Sequence, residues 1–172
     1  MDAPGWIVSA GESAHEAIGA CAHAVRRSVA DVRPSHPWIS VIEYPLFQVS
    51  YPSEVTDEAL TLLLEDLERV MFAMSSPYAW VVDLGRTLGT TARQRKMQAE
   101  SELRLKEHNR KHCVGVGVHV GNAVMRGVVT AVFWLSPPVY PYRITGTLEE
   151  AQRWAREALR AHGVPRRQAK SR

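Results

Sequence analysis

The chain has 172 residues, 45% of them hydrophobic and 23% charged, with a formal net charge of +3. That length suits one domain with a real core, and the ordinary composition excludes collagen-like, low-complexity and disulfide-scaffold classes. The positive charge belongs to the end of the chain, where Arg166, Arg167, Lys170 and Arg172 follow Pro165 with no acid among them; without those four the basic residues fall one short of the 18 acids, which argues against a dedicated nucleic-acid binder.

Residues 1–12 carry no clear pattern. Ser13-Ala-His-Glu16 has capping-box spacing, and Ile18, Cys21, Ala22, Val25, Val29 and Val32 then recur on one helical face before Pro34 and Pro37. The expectation is an N-terminal extension over residues 1–37, with an amphipathic helix at 13–33 docked on the body or on a partner. Cys21 and Cys113 lie far apart, and no Cys-x-x-Cys pair occurs, so there is no basis for a disulfide framework or a zinc site, and no cofactor is expected. Free thiols suit a reducing cytosol. The chain lacks a signal-peptide pattern, and no apolar stretch approaches the roughly 20 residues of a membrane span, so a cytoplasmic protein is expected.

Trp38–Glu43 and Leu46–Tyr51 alternate apolar and polar residues around Tyr44-Pro45, which reads as an antiparallel edge pair. Thr56-Asp-Glu58 opens a helix whose stripe is Leu60, Leu63, Leu64, Leu67, Val70, Met71 and Met74. Tyr78–Leu84 is a short β-favouring run bounded by Pro77 and Gly85, apolar on both faces, as suits a covered parallel strand. Thr90 or Thr91 caps a helix over about 92–111, with a weak inner stripe of Met97, Ser101, Leu105 and His108. Its charge is read as a solvated face laced by the pairs Glu100–Arg104, Glu102–Lys106 and Glu107–Lys111.

Cys113–Gly121 is the next strand, with valines on one face and Gly115, Gly117, His119 and Gly121 on the other. Asn122 caps a helix over 123–135 that is apolar nearly all round, with Arg126 its only charge; such a helix needs cover on more than one side, from residues 13–33 or from a second copy in a homodimer. Val139–Thr145 is the last strand. Thr147-Leu-Glu-Glu150 opens the last helix, which Gly163 and Pro165 stop. The order α, β, β, α, β, α, β, α, β, α implies an α/β domain over 38–162 with a mostly parallel sheet of about five strands, then a basic tail over 163–172.

From Trp38 to Ala161 this order resembles the STAS domain, the fold of bacterial anti-sigma-factor antagonists, and within it the small stand-alone STAS/SEC14-like proteins. The residues behind the resemblance are Ala79-Trp-Val-Val-Asp-Leu84, Thr91-Ala-Arg-Gln-Arg95, Met125-Arg-Gly-Val-Val129, Phe133-Trp-Leu135 and Glu150-Ala-Gln-Arg-Trp154. It implies a non-enzymatic module that binds a regulatory protein partner in bacterial-type signalling. STAS antagonists are phosphorylated in an Asp-Ser-Ser-Gly-like turn before the second helix. Here that stretch reads Asp83-Leu-Gly-Arg-Thr87 and then Thr90-Thr91, so Thr87, Thr90 and Thr91 are the acceptor candidates although motif and spacing depart from the pattern. The SEC14-like side implies a small apolar ligand.

The residues themselves offer two candidate sites. Arg93, Arg95 and Lys96 stand in the first turns of their helix, where cations oppose the dipole, so an anion is expected nearby: Asp83 through an internal pair with Arg95, or an acidic partner, phosphate or anionic ligand. The Gly115, Gly117 and Gly121 face either lets a helix pack close or floors a cavity, with His119 and Arg126 as pocket candidates. Gly85–Thr91 lacks the Gly-Lys-Ser/Thr ending of a nucleotide loop, and no Gly-x-Ser-x-Gly elbow accompanies Asp83 and His119.

Overall fold

The computed structural model describes residues 33–135 and 137–164. The chain divides into a unit of residues 1–32 and a unit from Arg33 onward, and the second carries every described element. The helix expected over 13–33 and the tail beyond Val164 lie outside the described residues.

Five strands form one sheet in sequential order: β1 (Ile39–Glu43), β2 (Leu46–Ser50), β3 (Tyr78–Asp83), β4 (Cys113–His119) and β5 (Tyr142–Thr145). The hairpin β1–β2 is antiparallel, with Ile39 opposite Val49, and β2 through β5 are parallel to one another. The expected antiparallel edge pair and parallel remainder are both present. The last strand begins at Tyr142 rather than Val139, since Pro137, Pro138 and Pro141 withhold backbone donors ahead of it.

Four helices connect and close the sheet: α1 (Asp57–Phe72), α2 (Ala92–His112), α3 (Ala123–Leu135) and α4 (Leu148–Ala161). Each start has the cap its sequence announces. Thr56 accepts from Ala59 N at 3.2 Å, Thr91 and Gln94 form a reciprocal capping box, Asn122 accepts from Met125 N at 2.8 Å and Thr147 accepts from Glu150 N at 3.3 Å. Because the strands advance in one direction, right-handed crossovers put α1, α2 and α3 on one face, and α4 covers the other.

Alternation along each strand sorts side chains between two unlike cores. On the three-helix face, Phe47, Val49, Trp80, Val116 and Val118 are buried together with Leu60, Leu63, Leu67 and Met71 of α1, Leu105 of α2, and Met125 and Val129 of α3. Phe47 and Trp80 stack there with ring centroids 4.9 Å apart. On the α4 face the core is Leu46, Ala79, Val81, Val114, Ala151, Ala155 and Leu159. A Cβ on Gly115 would come within 2.9 Å of Ala158 Cβ, and one on Gly117 would strike the Ala151 carbonyl, so these glycines exist to let α4 lie on the backbone of β4.

The helix α2 is tied inward more firmly than its sequence suggests. Its buried residues are Gln94, Ser101, Leu105 and Asn109. Gln94 donates to the Val55 carbonyl at 2.7 Å, and Asn109 accepts from the buried Tyr78 hydroxyl at 2.6 Å. The expected i,i+4 pairs give way to other partners: Arg104 reaches Glu68 of α1 at 2.6 Å, Glu102 accepts from Tyr140, Glu107 pairs with Arg110, and Glu100 pairs with Lys96. Local pairs contribute only some tenths of a kcal/mol, so a two-pronged guanidinium–carboxylate contact on a half-buried Glu68 outcompetes them.

Residues 33–36 are fastened to α1 by one buried acid. Asp66, 7% exposed, accepts from Ser35 N and Oγ at 2.8 Å, from His36 N at 2.9 Å and from Arg69 at 2.6 Å. Burial alone would raise its pKa; the His36 and Ser35 donors and the Arg69 guanidinium overcome that and hold it at about 2.

Candidate functional site

Open parallel sheets present their loops at the carboxyl ends of the strands. In this domain the strand ends place Ser50, Asp83, His119 and Thr145 side by side across β2, β3, β4 and β5. Asp83 Oδ1 meets His119 Nδ1 at 2.7 Å and accepts from Gly85 N at 2.9 Å. The carboxylate thereby fixes the imidazole with its Nδ1 proton turned inward. Gly85 belongs to the same assembly, because a Cβ there would run into the His119 ring. The hydroxyl beside His119 in the row is that of Thr145, which is buried and donates to the carbonyls of Val118 and Thr147, at 3.3 and 2.8 Å. It is therefore occupied rather than poised as a nucleophile.

The internal pair expected between Asp83 and Arg95 does not form. Parallel register brings His119 onto Asp83, while Arg95 Nη1 donates to the Thr90 carbonyl at 2.7 Å. Arg93 contacts Asp57 at 3.2 Å and Lys96 contacts Glu100 at 3.8 Å, so the chain itself supplies an acid to both. Those contacts leave Arg93 and Lys96 more than three-quarters exposed, at 78% and 77%, and Arg86 and Arg95 are exposed as well.

Between the Asp83–His119 pair and these cations runs the β3–α2 loop. It is pinned at successive backbone groups. Thr87 N donates to the Leu84 carbonyl at 3.1 Å, Thr87 Oγ1 to the Pro52 carbonyl at 3.3 Å, and Leu88 N to the Ser53 carbonyl at 3.3 Å. The loop nonetheless holds the Leu88 side chain 77% exposed. Leu88 is faint in the sequence. An apolar residue between Gly85 and Gly89, within a turn, is the signal that marks it.

The other candidates are dispersed. Thr87 is 1% exposed, with its hydroxyl engaged, which places it out of a kinase's reach. Thr91 is exposed, and its Oγ1 serves as the helix cap at 3.1 Å from Gln94 N; Thr90 is half-buried. Gly115 and Gly117 are covered by Trp154, Ala158 and Ala151, so α4 fills the space a ligand cavity over them would need. Arg126 is exposed beside Gly146, at the turn before α4. Among the described residues no group of three or more His, Cys, Asp or Glu side chains is arranged to hold a metal ion.

No protein-family model matches the sequence, and no curated protein is significantly similar to it. A solved structure from Shewanella loihica PV-4, described as an uncharacterised protein of the DUF3478 family with a SpoIIAA-like fold, aligns over 68% of this chain and 90% of its own, at 15% identity and a TM-score of 0.46. That likeness is one of topology and carries no residue role across.

Proposed function

We propose that the domain is a non-enzymatic interaction module in bacterial-type regulation, and that it docks an acidic regulatory partner on the corner formed by the β3–α2 loop and the first turns of α2. The observation that supports this reading is Leu88, held almost fully exposed by a loop whose own backbone is bonded in place. An apolar side chain carried on a backbone already bonded in place spares the backbone share of the ordering cost on binding, which helps an anchor residue concentrate affinity. Arg86, Arg93, Arg95 and Lys96 surround it in sequence as a basic rim that would steer an acidic surface and set its register. The Asp83–His119 pair underlies the loop through Gly85 and acts as its support.

The test is affinity capture from the native host with the full chain, comparing the natural protein with Leu88→Asp and with the double reversal Arg93→Glu, Lys96→Glu. Both variants should melt within about 0.5 kcal/mol of the natural protein, because they alter exposed positions. Both should lose the same captured protein, and the loss from the charge reversal should shrink as salt rises. Recovery of the same partners by both variants at low salt would remove this corner from consideration.

A further inference from the structure

We propose that the corner carrying Leu88 also binds a second copy of this chain, in a two-fold contact that the regulatory partner must displace. The inference rests on the reading of that corner as a docking surface and adds the occupant that holds it when the partner is absent.

The corner is built from two stretches laid side by side. Leu88 N donates to the Ser53 carbonyl at 3.3 Å and Gln94 Nε2 donates to the Val55 carbonyl at 2.7 Å, so Glu54 is bracketed by two bonds from the β3–α2 segment. Gln94 also reaches Asp57 at 3.1 Å, which brings the first turn of α1, with Glu58, alongside. The two stretches carry opposite charge. Residues 53–58 hold Glu54, Asp57 and Glu58 and no base, whereas residues 84–96 hold Arg86, Arg93, Arg95 and Lys96 and no acid. Arg93 and Asp57 meet across the seam at 3.2 Å. Glu54, Glu58 and Arg86 are exposed, and among the described residues their side chains have no hydrogen-bond or ion-pair partner. Leu88 stands at the seam, 77% exposed, bonded to the acidic stretch and flanked in sequence by the basic one.

A surface with an apolar anchor between unlike charges is complementary to itself. A two-fold axis beside Leu88 buries both copies of that side chain together and lays the acidic stretch of each chain on the basic stretch of the other. A wholly basic corner would repel its own copy; Glu54 and Glu58 supply the opposite charge. The second copy thus offers the basic rim the same acidic chemistry as the regulatory partner, and the two occupants exclude each other. Two loops and two helix starts make a small contact, of the transient class that buries less than about 1,200 Å².

The test is sedimentation equilibrium of the full chain up to roughly 0.5 mM, which covers weak dissociation constants. A dimer is expected, and it should weaken as salt rises. Leu88→Asp should weaken it at least about ten-fold. A second arm separates the charges. Glu54→Lys with Glu58→Lys makes the corner predominantly basic, and Arg86→Glu with Lys96→Glu makes it predominantly acidic. Each double variant alone should be monomeric, and an equimolar mixture of the two should dimerise again. Melting should stay close to that of the natural protein, since all four side chains are exposed. A natural chain that stays monomeric throughout overturns the proposal, as does a dimer that Leu88→Asp leaves intact or a mixture that fails to associate. Such results leave the partner reading standing wherever Leu88→Asp still abolishes capture of the regulatory protein, so the two can fail separately.

Discussion

The two faces of the sheet are packed by opposite means. The three-helix face is filled by large side chains that interdigitate: Phe47, Trp80, Leu60, Leu63 and Leu67 lie at or below 8% exposure. On the α4 face alanines and glycines are interspersed among Leu46, Val81, Val114 and Leu159, so that at Gly115 and Gly117 the helix lies almost on the strand backbone. The difference teaches that one domain can be sensitive to subtraction on one side and to addition on the other. A buried ring that is removed leaves a cavity the surroundings refill only in part, whereas a methyl added under a helix has no room at all.

The largest expected effect is therefore Phe47→Ala, at about 4 kcal/mol of unfolding free energy, because a fully buried ring stacked on Trp80 is lost. Gly117→Ala should follow at about 2 kcal/mol or more, although it adds only a methyl, since α4 must move off the Ala151 carbonyl. Ala155→Gly on the same face should cost about 1 kcal/mol, little beyond helix propensity. Urea denaturation of the three variants checks the contrast; a Gly117→Ala protein as stable as the parent would break it.

The next effect concerns acid. With the Asp66 carboxyl held at about 2 against an ordinary 3.8, the folded state binds its proton less readily than the unfolded chain. The stabilisation is fully present above about pH 4 and is lost as pH falls through about 2, and it is worth about 2 kcal/mol. Asp66→Asn should show its stability deficit in full at pH 7, and the deficit should narrow toward pH 2. A deficit that stays constant across that range would mean the ionised form is not what the Ser35 and His36 donors recognise. Arg104→Ala should cost about 1 kcal/mol or less, because the guanidinium is half exposed. A double-mutant cycle with Glu68→Gln should show coupling of that order, which would sharpen the view that α2 is held by cross-helix pairs rather than by its own.

Much of the fold was legible because it is written locally. The period-2 runs, the leucine stripe from Leu60 to Met74, and the caps at Thr56, Thr91, Asn122 and Thr147 each announce an element within a few residues of itself. The site was less legible because its chemistry depends on register. Asp83 and His119 are 36 positions apart and meet only when β3 and β4 pair. The sequence offers Arg95, a near neighbour, as one candidate partner for Asp83, and that neighbour bonds the Thr90 carbonyl instead. Spacing likewise pairs the α2 acids and bases along their own helix, whereas Arg104 finds Glu68 on α1. Asp66 carries a fainter sign: an acid between Leu63, Leu67 and Val70 on a buried stripe needs donors to converge on it, and those donors come from residues 30 positions or more upstream.

The helix α4 also sets an order of events. Strands β1 to β5 can pair as they emerge, since each lies beside its predecessor. The floor beneath α4 stays bare until residues 148–161 have left the ribosome. The bonds from Gln152 to Gln48 and from Arg156 to Glu43 span 104 and 113 positions, linking this late helix to the opening hairpin. A nascent chain stalled before α4 would present Leu46, Val81 and Val114 to solvent as a flat, side-chain-poor sheet surface. Such a surface invites another strand or a chaperone, so the emergence and docking of α4, rather than pairing of the sheet, is the step that commits this domain to its native state.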